Sequence, residues 1–378
     1  MKFTTIAARF AAAAAQAAVC FANAAVAAEP PAPESSPAVG GFDAMGMPRV
    51  DLTKIPAVDP AQKYTTERRM KLPIDPATRE PANPSVFLAR QNLDDIGAFR
   101  ETCGYAGMNF DDALVFPGQS GASHLHVYFG VLADANTSSA TIRSAPWSSC
   151  AGGTLNNTAY WMPAVIDTKD GTPQKPTSNN VYYKCPYGWR TKTIGCMNIV
   201  SVPVGLHLIA GNAANKDPAK SASRFVCLGP DRKNPGWKRN FAAAFADGTC
   251  LPGGEVVIET DLPNCWDGVN LDSPDHKSHV VNAVTTGRSG LACPPTHPKQ
   301  LPSISYNIHY AIPDDQAVSR WRLSSDRYDP ALPGGLSSHV DYLMGWEPKI
   351  VDMFTQHCLH EQRDCHNYLL GDNVSRLY

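Results

Sequence analysis

The sequence predicts a mainly β fold: a single sandwich-like domain with long disulfide-stapled loops and a C-terminal helix. Three observations point there. Short apolar or β-branched runs recur between Gly, Pro, Asn and Asp clusters. Ten cysteines follow an export-type leader. A single helix-periodic stretch stands near the C-terminus. The chain has 378 residues, 43% hydrophobic and 18% charged, enough apolar content for one sizeable core or two ordinary ones.

The first 28 residues read as a secretory signal peptide. Lys2 and Arg9 give the positive end, an Ala-rich run follows, and small residues suit cleavage near Ala27 or Ala28. Val19 precedes Cys20 where a lipoprotein signal needs a small residue, so no lipid anchor is expected. The mature chain is expected to be secreted or periplasmic. No later segment reaches the roughly 20 apolar residues of a spanning helix. The net charge of -2, with no basic cluster, argues against nucleic acid or an anionic membrane surface as partner.

Residues 29–85 are rich in Pro, Ala and Gly and read as a linker or draped arm, because such composition buries too little apolar surface to offset its ordering entropy. Residues 86–378 read as the globular domain. A split near residue 215, in "GNAANKDPAKSA", is the alternative.

Within the body, "HLHVYFG", "VPVGLHLIAG", "SRFVCLG", "GEVVIETDL", "SISYNIHYAI" and "SSHVDYL" read as strands. "EPKIVDMFTQHCLHE" reads as the helix, with Pro348 in its first turn and Ile350, Val351, Phe354 and Cys358 at helical spacing. The cysteines after Cys20 are even in number and contain no C-x-x-C, which favours disulfides over a zinc ribbon or thioredoxin-type site. Cys185 with Cys196 and Cys358 with Cys365 are the attractive local pairs; the remaining connectivity is open.

Four distant segments mix His, Asp, Trp and Gly. They contribute Asp111, Asp112, His124 and His126; Asn157, Tyr160 and Trp161; Trp266, Asp267, Asp272, Asp275, His276 and His279; and His339, Asp341, Trp346 and Glu347. Alternate residues of a strand share a face, so His124 pairs with His126 and His339 with Asp341. Neutral imidazole is the commonest metal ligand, and His124, His126, His279 and His339 form a plausible set for a divalent metal. No H-E-x-x-H is present, and cleavage leaving Ala28 or Glu29 first excludes a copper site built on an N-terminal histidine.

Without a metal, glycoside hydrolysis needs two carboxyl groups, and Asp112, Asp267, Asp272 and Asp341 are candidates. Trp161, Trp266 and Trp346 could stack on sugar rings. A lyase would use His124, His126 or Tyr160 to move a proton. Each residue also has a bland reading: histidines bonded to backbone, tryptophans in the core, Asp267 and Asp341 capping turns. His357, His360 and His366 fit a helix C-terminus, and His297 a structural loop. Serine catalysis lacks a G-x-S-x-G elbow, and "GQSGAS" lacks the lysine of a phosphate loop.

The segments "MNFDDALVFPGQSGASHLHVYFG", "TAYWMPAV", "NCWDGVNLDSPDHKSHV", "CPPTHPKQLPSISYNIHY" and "HVDYLMGWEPKIVDMFTQHC" resemble, in order, the signature segments of a domain-of-unknown-function family in secreted bacterial and fungal proteins. In fungi this domain often lies beside WSC modules, which bind wall glycans. The resemblance spans about residues 99–366. It implies an extracellular, polysaccharide-linked setting, and its matching positions are His124, His126, Trp161, Asp267, His276, His279, His339, Asp341 and Trp346. This chain carries no WSC module of its own.

The expectation is therefore a secreted carbohydrate-active enzyme, hydrolase or lyase, acting on an extracellular polysaccharide through His124, His126, Asp112, Asp267, Asp272, His276, His279, His339 and Asp341, with Tyr160, Trp161, Trp266 and Trp346 binding substrate. The alternatives are a metal-binding protein or metal-dependent hydrolase using the His124–His126 pair, and a non-catalytic glycan-binding or wall-associated protein.

Overall fold

The computed structural model describes residues 40–73, 76–78, 90–91, 97–185, 196–285, 291–313, 317–327 and 329–378. Residues 1–28, expected to be a signal peptide, and parts of the 29–85 segment lie outside the described residues. Residues 38–378 form one compact unit.

Two antiparallel sheets make the body. Their strands are β1 (Ala98–Cys103), β2 (Tyr105–Asn109), β3 (His126–Gly130), β4 (Ala159–Pro163), β5 (Ser178–Lys184), β6 (His207–Gly211), β7 (Ser223–Leu228), β8 (Glu255–Asp261), β9 (Ser303–Ala311), β10 (His339–Leu343) and β11 (Arg363–Cys365). The five-stranded sheet runs β6-β10-β4-β3-β2. The seven-stranded sheet runs β7-β8-β9-β5-β1-β11 and ends on a short strand at 90–91. All pairs are antiparallel except β11 with β1. The six expected strands are all present, and "GNAANKDPAKSA" is a surface loop whose Asn215 Nδ2 donates to Leu336 O at 2.8 Å.

The sheets pack face to face, as alternation along each strand dictates. Val127, Phe129, Tyr160, Met162, Leu208, Val340 and Tyr342 from the first meet Phe99, Val181, Tyr183, Ile258, Ile304, Tyr306 and Ile308 from the second. The polar tips of these aromatics bond one another. Tyr160 Oη lies 3.0 Å from Tyr183 Oη, and Trp346 Nε1 donates to Tyr183 Oη at 3.0 Å. Tyr306 Oη donates to the backbone oxygen of Asp341 at 2.6 Å and so ties the second sheet to the centre of the first.

The expected helix is present with Pro348 at its first position: Pro348–Phe354 is α-helical and Thr355–His360 continues as a π-helix. Phe354 stacks on Phe99 with ring centroids 4.4 Å apart. All ten cysteines after Cys20 are paired, as Cys103–Cys150, Cys185–Cys196, Cys227–Cys250, Cys265–Cys293 and Cys358–Cys365. Both local pairs read from spacing are among them.

Of the proline-rich N-terminal segment, residues 40–73 lie along the body. Tyr105 Oη donates to Pro56 O at 2.8 Å, Tyr64 pairs with Ser148, and residues 69–71 pair with 375–377.

The five-stranded sheet is covered on both faces. Its outer face carries Ala106, Tyr128, Ala159, Trp161, Ile209 and Leu343, packed under Leu114, Val131, Ala133 and Ile142 from the long loops after β2 and β3. Strands buried on both sides should read as unbroken apolar runs. Where β3 and β10 instead carry His126, His339 and Asp341, the chain has put ionisable groups into its interior, and that demands a reason.

Candidate functional site: a buried histidine and carboxylate cluster

Register places the cluster. β4 lies between β3 and β10. His126 stands opposite Pro163, Tyr128 opposite Trp161, and Trp161 opposite Asp341. Continuing the β4–β10 register by two residues sets Pro163 opposite His339. The side chain between the two histidines is thus small and without polar atoms, so their rings approach across it to a centroid distance of 5.8 Å. His124, just before β3, completes the group at 4.3 Å from the His126 ring and 5.0 Å from the His339 ring.

The candidate ligand atoms of His124, His126 and His339 lie within 4.8 Å of one another, and so do those of Asp112, His126 and Asp341. His126 belongs to both groups. A third grouping, Glu101 with Cys103 and Cys150, holds no free thiolate, because those cysteines are bonded to each other.

The surroundings fix which nitrogen of each ring faces the centre. His126 Nδ1 lies 3.0 Å from Asp111 O, and His339 Nδ1 lies 2.9 Å from Ser337 O. Facing carbonyl oxygens, both Nδ1 atoms carry the proton, which leaves each Nε2 as a lone pair. This is how proteins orient histidine ligands of metals. His126 Nε2 and His124 Nε2 are buried with no hydrogen-bond partner among the described residues, and His339 Nε2 sits 3.9 Å from Asp341 Oδ2. Neither carboxylate oxygen of Asp341, itself fully buried, has a hydrogen-bond donor among the described residues.

A second ring of bonds holds this arrangement. Asp111 Oδ1 accepts from Gly121 N at 2.7 Å and Ser120 Oγ at 3.0 Å, and its Oδ2 accepts from Ala135 N at 3.1 Å. It thereby closes the glycine-rich turn that seats His124, while its backbone oxygen takes His126 and Tyr128. Asp326 accepts from Ser337 Oγ at 2.6 Å and from Gly335 N at 2.8 Å, which fixes the carbonyl that orients His339.

Electrostatics follow from burial. Loss of solvent holds the His126 and His339 pKa values down to about 4, and neighbouring His126 adds to the effect on His339. Burial, then His126 and His339, holds His124 well below the usual histidine range. Burial, then Asp112, pushes Asp341 well above the usual carboxylate range. The site therefore offers three neutral imidazoles beside a carboxyl group that needs a positive charge in order to ionise. Of the three histidines, His124 is the one partly open to solvent, so it marks the mouth.

The other expected site residues lie elsewhere. His279 is buried with both ring nitrogens engaged, Nδ1 at 2.9 Å from Ser273 Oγ and Nε2 at 2.8 Å from His207 O. It does not join the other three histidines. His276 Nδ1 lies 3.0 Å from Asp272 Oδ2, on the loop that packs against β6. Asp267 caps its own turn, accepting from Val269 N, Asn270 N and Asn270 Nδ2. Asp112 accepts from Leu114 N and Val115 N at 2.9 Å and still reaches the cluster.

Tyr160 and Trp346 are buried between the sheets, and Trp161 is buried on the outer face against Tyr128, centroids 5.4 Å apart. Trp266, on its own small sheet, is half-buried and donates to Asn270 O at 2.6 Å. Sequence reasoning passed over His207, although it interrupts an apolar strand in the same way as His126, and that was the available signal.

Comparison with curated proteins and with solved structures finds no match. The family described as "Domain of unknown function (DUF1996)" matches residues 112–346, which contain Asp112, His124, His126, His339 and Asp341. The match covers more than half of the chain, and the protein belongs to this family of domains of unknown function.

Proposed function

We propose that the protein binds a divalent transition metal, of the zinc class, through His124, His126 and His339, with Asp341 as the carboxylate partner, and uses it in hydrolysis. The observation that carries the reading is the set of buried lone pairs: the ligand atoms of His124, His126 and His339 lie within 4.8 Å of one another, those of Asp112, His126 and Asp341 do so as well, and His124 Nε2, His126 Nε2 and both oxygens of Asp341 have no hydrogen-bond partner among the described residues. Leaving such groups unpaired costs about 1–3 kcal/mol each, so a chain gathers them where a cation binds. Three nitrogens and one oxygen suit zinc or a similar ion. Such an ion, when bound, acts as a Lewis acid and makes water a nucleophile near neutral pH.

The chain's own residues do the rest. Asp111 and Ser337 hold the ring tautomers, and Asp341 ionises beside the positive charge and can take up a proton. His124 faces the entry, while Trp161 and Tyr128 close the floor against water.

The substrate class we propose is an extracellular polysaccharide, processed by a secreted protein. Support for that part comes from the family's fungal glycan-binding neighbours, and the five disulfides are compatible with it. No helix among the described residues is long and apolar enough to cross a membrane.

Elemental analysis of the purified mature protein tests the metal. About one equivalent, lost on chelation and lost in His126→Ala, supports the site. Folded wild-type protein that neither carries nor takes up zinc, copper, manganese or iron overturns it. Product release from polysaccharides by the loaded protein, abolished by chelation, then tests the substrate class.

A further inference from the structure

Away from the metal cluster, the first residue of β6 meets two loops. His207 Nε2 lies 3.0 Å from Ser139 Oγ, and His207 Nδ1 lies 3.3 Å from Asp272 Oδ2. Serine, imidazole and carboxylate thus stand in the order used for nucleophilic acyl transfer. They come from three segments far apart in the chain, so no sequence motif announces them. All three line one cavity of about 510 Å3, whose other walls include Leu114, Pro117 and Ala135.

Supporting contacts fix the imidazole. His279 Nε2 donates to the backbone oxygen of His207 at 2.8 Å, and His276 Nδ1 lies 3.0 Å from Asp272 Oδ2, the oxygen that also faces His207. The Ser139 hydroxyl has two acceptors, Gly205 O at 2.6 Å and His207 Nε2 at 3.0 Å, so a rotation of the O–H bond moves its proton from one to the other. Among the described residues no backbone carbonyl accepts from the N–H groups of Ser139 and Ala140, and these are the donors proposed for a developing oxyanion.

We propose that Ser139, His207 and Asp272 form a second, metal-independent site that hydrolyses short-chain carboxylic esters. Ser139 Oγ attacks the ester carbonyl carbon and passes its proton to His207 Nε2. The C–O bond to the alcohol breaks, and His207 returns the proton to the leaving alkoxide. Water, deprotonated by His207, then attacks the acyl-serine, releasing the carboxylic acid and restoring the hydroxyl. Asp272, with Oδ2 3.3 Å from His207 Nδ1, stabilises the imidazolium that forms and favours Nε2 as the base. The apolar walls Leu114, Pro117 and Ala135 suit the hydrocarbon part of a small acyl group, and the volume leaves room for the alcohol beside it.

The test uses the full mature protein in the presence of a chelator, with a fluorophosphonate probe and p-nitrophenyl acetate. The expected result is one fluorophosphonate adduct, mapped to Ser139 by peptide mass spectrometry. Ester turnover should fall at least 100-fold in Ser139→Ala and in His207→Gln. Asp272→Asn should lose turnover while leaving the metal content unchanged. Folded wild-type protein that takes no label at Ser139 overturns the proposal whatever the variants do. So does turnover in a folded Ser139→Ala equal to that of the wild type.

Discussion

Removing the metal should expose what the empty cluster costs the fold. Asp341 is fully buried, receives no hydrogen bond on either oxygen from the described residues, and is pushed well above the usual carboxylate range by burial and by Asp112. Stripping the cation from a buried ionic partner of this kind costs on the order of 3–5 kcal/mol. At roughly 2–4 °C per kcal/mol for a large domain, chelation should lower Tm by roughly 6–20 °C.

Asp341→Asn removes the charge but keeps the shape. Chelated Asp341→Asn should therefore melt above chelated wild type, and zinc should raise its Tm far less than it raises that of the wild type. The assay is calorimetric melting at fixed protein and free-metal concentration, because bound ligand adds stability by mass action. If chelation left the wild-type Tm unmoved, and Asp341→Asn melted below it in both conditions, Asp341 would be held by something other than a cation and the metal argument would fail.

Three further outcomes are expected. His126 and His339 have folded pKa values near 4, below the ordinary 6.5, so the unfolded chain binds the extra protons. Their contribution is complete above about pH 6.5 and is lost as pH falls through about 4, roughly 3 kcal/mol each. Asp341 has the opposite sign, so the chelated Asp341→Asn background isolates the histidines, with Asp112 and Lys277 as the charges acting on His339; a urea midpoint there that is flat from pH 7 to 4 would contradict the reading.

Gly211 has φ +92° and faces β10, where an added Cβ would strike the Ser338 carbonyl and come within 2.8 Å of His339 Cα. Gly211→Ala should weaken metal binding by displacing His339, and an unchanged zinc titration would refute that placement. Replacing both Cys103 and Cys150 by Ala opens a closure spanning 47 residues and should cost about 4 kcal/mol by the loop-entropy relation, read as a lower denaturant midpoint with a steeper slope, because the unfolded chain expands.

The legibility of the fold follows from burial. A strand such as β9 announces itself because exposure along it tends to the period of two, whereas β5, which alternates buried and half-buried residues just as clearly, is not among the six strands read from the sequence. The C-terminal helix announces itself through Pro348 and its apolar spacing. Of the site, His126, His339 and Asp341 were legible because ionisable groups stood in runs otherwise apolar enough to be interior.

His279 misled for a physical reason. Its neighbours in sequence are as polar as those of His126, but the His207 carbonyl and the Ser273 hydroxyl, which occupy its ring nitrogens, come from elsewhere in the fold or turn back on it. Trp161, Trp346 and Tyr160 are read correctly as large residues, yet a sequence cannot say whether a ring faces water or another ring.

By itself, then, the sequence determined the mainly β class, the even cysteine set, the six strands, the helix and the residue types able to do chemistry. These depend on local period and composition, which one chain carries openly. Which residues meet was decided only by the tertiary structure. Strand register put Pro163 between two histidines, and loop closure by Asp111 brought in a third. Three unrelated segments set Ser139, His207 and Asp272 in line. Distance between side chains arises from the pairing of strands and the closing of loops, and no spacing along the chain encodes it.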